Sequence, residues 1–558
     1  MKKTFITIIL ILILVACAAP GTDFPTSAVA PFPTTTVANV ASLASSPMPK
    51  ALWISPAVPP DLLAIAKTWD MPITNVPTLA TQKLDVTDTS RGSLWIYALV
   101  APFPTVTDDV ANADLLSAWN GSPSGPITGH AILMAESTLE ALTALWGEPA
   151  SGAVRVVLAD QLLDTAWTES AWAIIPFEDI QPKWKVLSVD GQSPIHKGFD
   201  ADVYPLKIYF GLSNPGSFAL PESNRDASKL ATVVLTGVTA IVRATAATME
   251  MKGVTYPGSL IGDWLREADV AHISNEVPFD AACPPPNSSY TNLLLCSDPR
   301  YFELLTDVGM DIVELTGDHF ADRGVNAMLA TLDIYKQANI PYYGGGANAE
   351  EARQPVLMEV NGNKIAFMGC NGKLKYAKAT DRTPGAADCD YSYFTNQIED
   401  IKAQGYMVIF TFQHEECYFA GPCYTHEKGF RAVADAGATV VSGSQAHYPH
   451  IMEFREDSFI HYGLGNLFFD QMKYNLPDGT VIDGTRREFI DRHVFYDGRY
   501  LGMELLTAML EDYSRPRPMT QAERTAFLSE YFYLSGWIPL SPTPIPQPTV
   551  TLTPIALP

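Results

Sequence analysis

Between Lys229 and about Trp537, short apolar runs alternate with stretches of helical period, and this alternation restricts the fold more than any other feature. Strands are expected at Ala231–Leu235, Ile312–Leu315, Lys364–Met368, Met407–Phe412, Thr439–Val441 and Phe459–Tyr462. Helices are expected at Leu260–Glu267, Tyr301–Val308, Val325–Gln337, Thr395–Gln404 and Gly429–Ala436. A last helix, opened by the capping-box spacing of Thr520-Gln521-Ala522-Glu523, should run to about Tyr533. Such alternation builds an α/β domain whose ligands gather beyond the carboxyl ends of its strands. Residues 50–211 show a second set, with strands at Leu94–Val100 and Val154–Leu158 and helices at Ser137–Leu145 and Asp160–Glu169. The Pro/Ser/Asn-rich stretch 212–228 reads as a linker. The division expected is therefore an accessory α/β domain at 50–215 and a larger one at 229–537.

The two ends carry a different message. Residues 1–17 have Lys2 and Lys3 before an apolar run too short to span a bilayer, which reads as a secretory signal. Its end, Leu14-Val15-Ala16-Cys17, resembles the bacterial lipobox, which implies lipidation of Cys17 and an extracytoplasmic protein anchored to the cell membrane. A soluble secreted protein with an incidental cysteine is the alternative. Many of the 43 prolines lie in 18–49, which reads as a tether, and in 538–558, which reads as a disordered tail. An even number of cysteines after Cys17 suggests disulfides in an exported chain. Closeness in sequence suggests Cys283–Cys296, Cys370–Cys389 and Cys417–Cys423, among 15 pairings that six cysteines allow. No CxxC is present to favour zinc. A net charge of −24 argues against nucleic acid and against polybasic lipid binding.

Polar residues follow the expected strands at several places. These are Asn275-Glu276, Gly317-Asp318-His319 with Asp322, His414-Glu415-Glu416, and Gln445-Ala446-His447 with His450. One histidine at a strand end is usually an ordinary polar residue. Four such clusters converging on one cleft suit a divalent metal such as Mn²⁺, Zn²⁺ or Fe.

Seven segments in order, LTGVTAIVR (235–243), ISNEVPF (273–279), LTGDHFADRG (315–324), 340–370, FTFQHEECY (410–418), 434–453 and HYGLGNLFFDQ (461–471), resemble the CapA family of capsule and poly-γ-glutamate synthesis proteins. That family is a branch of the calcineurin-like metallophosphoesterases, so the resemblance implies a four-layer α/β/β/α sandwich with a metal site at the strand ends. Position by position, it implies metal ligands at Glu276, Asp318, His319, His414, His447 and Gln445. It places the catalytic roles on His414, Asp318 and Arg243. The chain departs from the pattern at Val238, where relatives have a ligating Asp, and at Gln445, where they have His. The accessory region is similar, through DLLSAWNGSPSG (from Asp114) and AIIPFEDIQPKWKVLSVDG (from Ala173), to solute-binding proteins that hold an oxyanion in a loop at a helix start.

Two functions stay open at this point. The first is an envelope protein acting in synthesis, assembly or anchoring of capsule or poly-γ-glutamate, as a metal-dependent phosphoesterase-like or amide-acting hydrolase or transferase. Its partners would be the anionic polymer or its synthesis machinery. The second is a non-catalytic polymer- or solute-binding lipoprotein with a degenerate metallophosphatase site. The triple glycine Gly344-Gly345-Gly346 lacks the spacing of a P-loop and reads as a tight turn.

Overall fold

The computed structural model describes residues 50–88, 92–214, 218–289, 292–373, 375–423, 426–476 and 478–537. The signal, Cys17, the tether and the tail lie outside the described residues.

The first region is built around one strand. Ser93–Pro102 (SLWIYALVAP) is apolar on nearly every residue and buried along its length, the pattern of a central strand covered on both faces. The sheet runs in the order Leu52–Ile54, Gln82–Thr87, Lys207–Leu212, Ser93–Pro102, Trp172–Pro176, Ile132–Met134 and Val154–Val156. Helices Asn112–Trp119, Glu136–Trp146 and Leu162–Glu169 contribute to the core around Trp95, Trp119 and Trp172. The segment expected as a linker is held in place where it is described. Asn224 exchanges hydrogen bonds with the backbone of Ile96 at 2.8 and 3.0 Å, and Leu94 N donates to Glu222 O.

From Leu230 onward two sheets stack between helices. One has the order Tyr342–Tyr343, Ile312–Glu314, Val270–Asn275, Leu230–Leu235, Arg487–Tyr496, Arg499–Glu511 and Arg515–Pro518. Its first four strands are parallel and the rest antiparallel. The other has the order Val356–Val360, Asn363–Asn371, Met407–Gln413, Val440–Ser442, Ser458–His461 and Met452–Arg455. Strand periodicity sorts the side chains into cores. Val233 and Leu235 join Phe367, Ile409 and Val440 between the sheets. Val234, between them in sequence, joins Met249, Leu304 and Leu332 under the outer helices. On the other side Met368 and Phe410 pack with Phe394, Ile398 and Phe430. Helix, sheet, sheet and helix make the expected four-layer α/β/β/α sandwich.

Two long strands escaped the sequence pattern. Arg487–Tyr496 and Arg499–Glu511 form a hairpin whose charged residues hide an apolar alternation. Buried Asp491 is met by His461 at 2.6 Å, and Glu504 by His196 at 2.7 Å. The hairpin turns at Asp497 and Gly498, both at positive φ (49° and 75°), the dipeptide that a two-residue turn prefers.

The structure pairs Cys283 with Cys296, Cys370 with Cys389 and Cys417 with Cys423.

Phe103, one residue past the central strand, leaves its own core and enters the inter-sheet core of the sandwich. There it meets Phe454, Phe459, Phe532 and Trp537 edge-on, with ring centroids 5.2 to 5.9 Å away. Arg524 of the last helix adds a two-pronged contact to Asp108 at 2.8 and 2.9 Å. Truncating a buried phenylalanine costs about 3–5 kcal/mol. Phe103→Ala should therefore lower the denaturant midpoint by that equivalent, whereas a surface change such as Glu140→Ala should leave it within about 0.5 kcal/mol.

Candidate functional site

The parallel strands of both sheets end on one side, and the polar residues there line a cleft of about 780 Å³. Glu276 follows the strand Val270–Asn275, and its backbone N–H donates to Thr239 O at 2.9 Å. The turn after Ile312–Glu314 passes so close that a Cβ at Gly317 would stand 2.6 Å from Glu276 Cα, so only glycine fits there. That approach delivers Asp318 and His319 to the carboxylate. Ligand atoms of Glu276, Asp318 and His319 all lie within 4.8 Å of one another.

Hydrogen bonds orient the set. His319 Nδ1 is 2.6 Å from Asp322 Oδ2, which also accepts from Leu295 N at 2.7 Å. His447 Nδ1 is 2.8 Å from Asn466 Oδ1, which turns Nε2 toward Glu276 Oε1 at 3.3 Å and Glu416 Oε1 at 3.7 Å. Gln413 Nε2 donates to Asp318 Oδ1 at 3.1 Å, and Lys373 Nζ stands 2.8 Å from Asp318 Oδ2. The same ammonium also pairs with Glu416, whose other oxygen accepts from Tyr418 at 2.9 Å. Glu276 itself is completely buried, and neither of its oxygens has a hydrogen-bond partner among the described residues.

The electrostatics follow from this crowding. Burial opposes charge on both imidazoles, yet the carboxylates outweigh it. Asp322, Glu276 and Asp318 raise His319 to about 9, and Glu276 and Glu416 raise His447 to about 9. Burial pushes Glu276 up, and His447 and His319 bring it below its ordinary value. Burial and the Glu276 charge raise Asp318. Burial also acts against Glu416, but His447 and Lys373 hold it down at about 2.

Two expected members, His414 and Gln445, stand elsewhere, and a third, Arg243, lies on the cleft rim. His414 lies outside the cleft, stacked on His426 and Phe412 with ring centroids 4.7 and 5.1 Å away, and burial lowers it to about 4. Neighbouring residues of a strand face opposite sides, so Gln413 reaches Asp318 and His414 turns to the helix layer. Gln445 Nε2 donates to Ser274 Oγ at 2.7 Å, beside a buried group in which Glu314 accepts from Ser274 and Ser444. Arg243 opens the helix Arg243–Lys252 at φ 41° and pairs with Asp470 on the cleft rim. Val238 is fully buried, in register with Ser274 and Asn466. Lys373 and Asn466 were missed, although Lys373 follows a strand end just as the chosen residues do. In the first region, Ser124 Oγ donates to Asp114 at 2.5 Å, so a carboxylate occupies the loop expected to hold an oxyanion.

The donors fit one divalent cation. Glu276 offers a buried carboxylate whose one close cation among the described residues is His447 at 3.3 Å, Asp318 and His319 are within reach, and each histidine has its second nitrogen fixed by a polar partner, as metal ligands usually do. A pair of ions does not fit as well. Val238 supplies no donor, and the Lys373 ammonium already neutralises Asp318 and Glu416.

Residues 232–471 match the family model described as bacterial capsule synthesis protein PGA_cap. That segment of the chain is similar to this family. The capsule biosynthesis protein CapA of Bacillus anthracis is 26% identical over 199 residues, covering 34% of this chain and 48% of the relative. The PGA biosynthesis protein CapA of Bacillus subtilis (strain 168) is 30% identical over 187 residues, covering 32% and 48%. The chain spans about half the length of these curated relatives. Among solved structures, a hypothetical protein from Thermus thermophilus aligns with TM-score 0.32 and 13% identity, covering 50% of this chain and 100% of that one. The 5'-nucleotidase precursor of the same organism gives 0.29 and 14%, covering 55% and 59%. An ABC-type phosphate transport receptor from Vibrio cholerae gives 0.25 and 12%, covering 30% and 88%.

The two raised histidines set a pH dependence. Their folded values of about 9 lie above the ordinary 6.5. Their stabilising contribution is thus full below about 6.5 and is lost as pH rises through about 9. Metal-free protein should melt progressively lower across that window, and Glu276→Gln should flatten the dependence. Metal affinity should run the opposite way, rising with pH, because bound metal displaces those protons.

Proposed function

We propose that this protein is an extracytoplasmic, lipid-anchored factor in the synthesis, assembly or anchoring of capsule or poly-γ-glutamate, with the cleft as a one-metal hydrolase or transferase site. The observation that carries the reading is Glu276, a buried carboxylate without a hydrogen bond, beside Asp318, His319 and His447. A divalent cation held by Glu276, Asp318 and His319 would polarise a carbonyl or phosphoryl oxygen. The chain's own groups supply the rest. His447 Nε2, fixed by Asn466, is placed to hold or give up a proton at the cleft floor. Lys373 and Arg243 at the same cleft are paired with Asp318, Glu416 and Asp470, so a bound cation, with Lys473 on the lining, would supply the positive charge that an anionic polymer requires against the overall −24. His414 takes no part in this reading, being turned away.

A second reading, a non-catalytic polymer-binding protein, is favoured by Val238 and by the Lys373 bridge between Asp318 and Glu416. Elemental analysis and turnover of the full chain separate the two. The hydrolase reading expects about one Mn, Zn or Fe per chain, lost in Glu276→Ala together with cleavage of a phosphoester or γ-glutamyl substrate, a drop of about 100-fold or more. Failure to retain any of these metals after reconstitution would leave only the binding reading.

A further inference from the structure

A second cluster of ligating atoms lies beyond the strand Met407–Gln413, apart from the cleft donors. Cys417, Cys423 and His426 present ligand atoms that all lie within 4.8 Å of one another. His426 opens the helix His426–Asp435 and is 3% exposed. The Glu415 carbonyl lies near its ring, and its Nε2 has no partner among the described residues. A buried ring nitrogen left without a hydrogen bond is free to act as a metal ligand. His414 and His450 both stack with His426, with ring centroids 4.7 and 6.4 Å away. His450 Nε2 meets Cys417 O at 3.1 Å while its Nδ1 is buried without a partner among the described residues. This pocket holds more nitrogen than its hydrogen bonds use.

In the structure the two sulfurs are joined. We propose that Cys417, Cys423 and His426 form a zinc site when that disulfide is opened, with the fourth position left to solvent. Two thiolates and one imidazole in a tetrahedral set are chemistry that Zn²⁺ accepts. Opening needs a reductant, here a protein dithiol. Its thiolate attacks one sulfur, the S–S bond breaks, and a mixed disulfide forms and is resolved by the second thiol. The donor becomes the disulfide, and Cys417 and Cys423 gain two electrons and two protons. Zinc then displaces the two thiol protons. The spacing Cys-x5-Cys-x2-His lacks a CxxC, so it does not announce itself in the sequence. Either state ties down the loop that carries Glu416 and Tyr418 to the cleft.

The test uses the full chain, treated with a phosphine reductant and desalted, with Co²⁺ as spectroscopic stand-in for zinc. Reduced protein should develop a thiolate-to-cobalt charge-transfer band saturating at about one equivalent. Untreated protein should show none. The band should vanish in the double variant Cys417→Ser, Cys423→Ser, and its affinity should fall by about tenfold or more in His426→Ala. Three results would overturn the site: no band in the reduced protein, a band surviving the double serine variant, or unchanged affinity in His426→Ala. Because the cleft contains no thiolate, metal bound there leaves this band silent, and the outcome is independent of the cleft reading.

Discussion

A carboxylate buried without a hydrogen bond is among the costliest groups a protein can hold, and the C-terminal sandwich is arranged around one. Isolated in an apolar interior, the Glu276 charge would be strongly unfavourable, so it demands cations nearby. The structure supplies His447 at 3.3 Å and His319 from the adjoining turn, both kept protonated by the carboxylates they face. Lys373 then balances the remaining negative groups, Asp318 and Glu416. Each element end that reaches the cleft is committed to this balance. Gly317 is bare because the turn must press on Glu276, and Asn466 and Asp322 face the far nitrogens of the two histidines.

The balance also explains why Val238 is tolerated. A further carboxylate in place of that buried valine would add negative charge to a floor already crowded with it, unless another cation came with it. The ammonium of Lys373 takes up charge that a second metal ion would otherwise neutralise. Away from the cleft, joining is apolar. Phe103 sits in the inter-sheet core among rings from strands and the last helix, so the first region shares a hydrophobic contact with the sandwich and not merely a connecting segment.

Much of this was legible from residue order. The parallel strands and their covering helices are local patterns of apolar period, and Leu230–Leu235, Met407–Gln413 and Gly324–Gln337 fall where that period places them. The clusters that hold Glu276, Asp318, His319 and His447 stood out because they follow strand ends, and the family resemblance then singled out these four. The hairpin Arg487–Glu511 was not found, since its buried charges are satisfied by partners remote in sequence, such as His461 for Asp491 and His196 for Glu504. The Asp497-Gly498 turn was the one local sign.

What residue order alone determined was the α/β class, the resemblance of the larger region to one family and the kinds of group brought to the cleft, all of which follow from short-range periodicity and ordered motifs. What only tertiary structure decided was which of those groups face one another. The phase at the end of a strand turns Gln413 inward and His414 outward, and the turn after Val440–Ser442 puts Gln445 on Ser274 while His447 meets Glu276. Adjacent side chains on a strand point to opposite faces, so a shift of one residue exchanges a cleft group for a core group. That phase is set by packing between two sheets, and no single segment carries it.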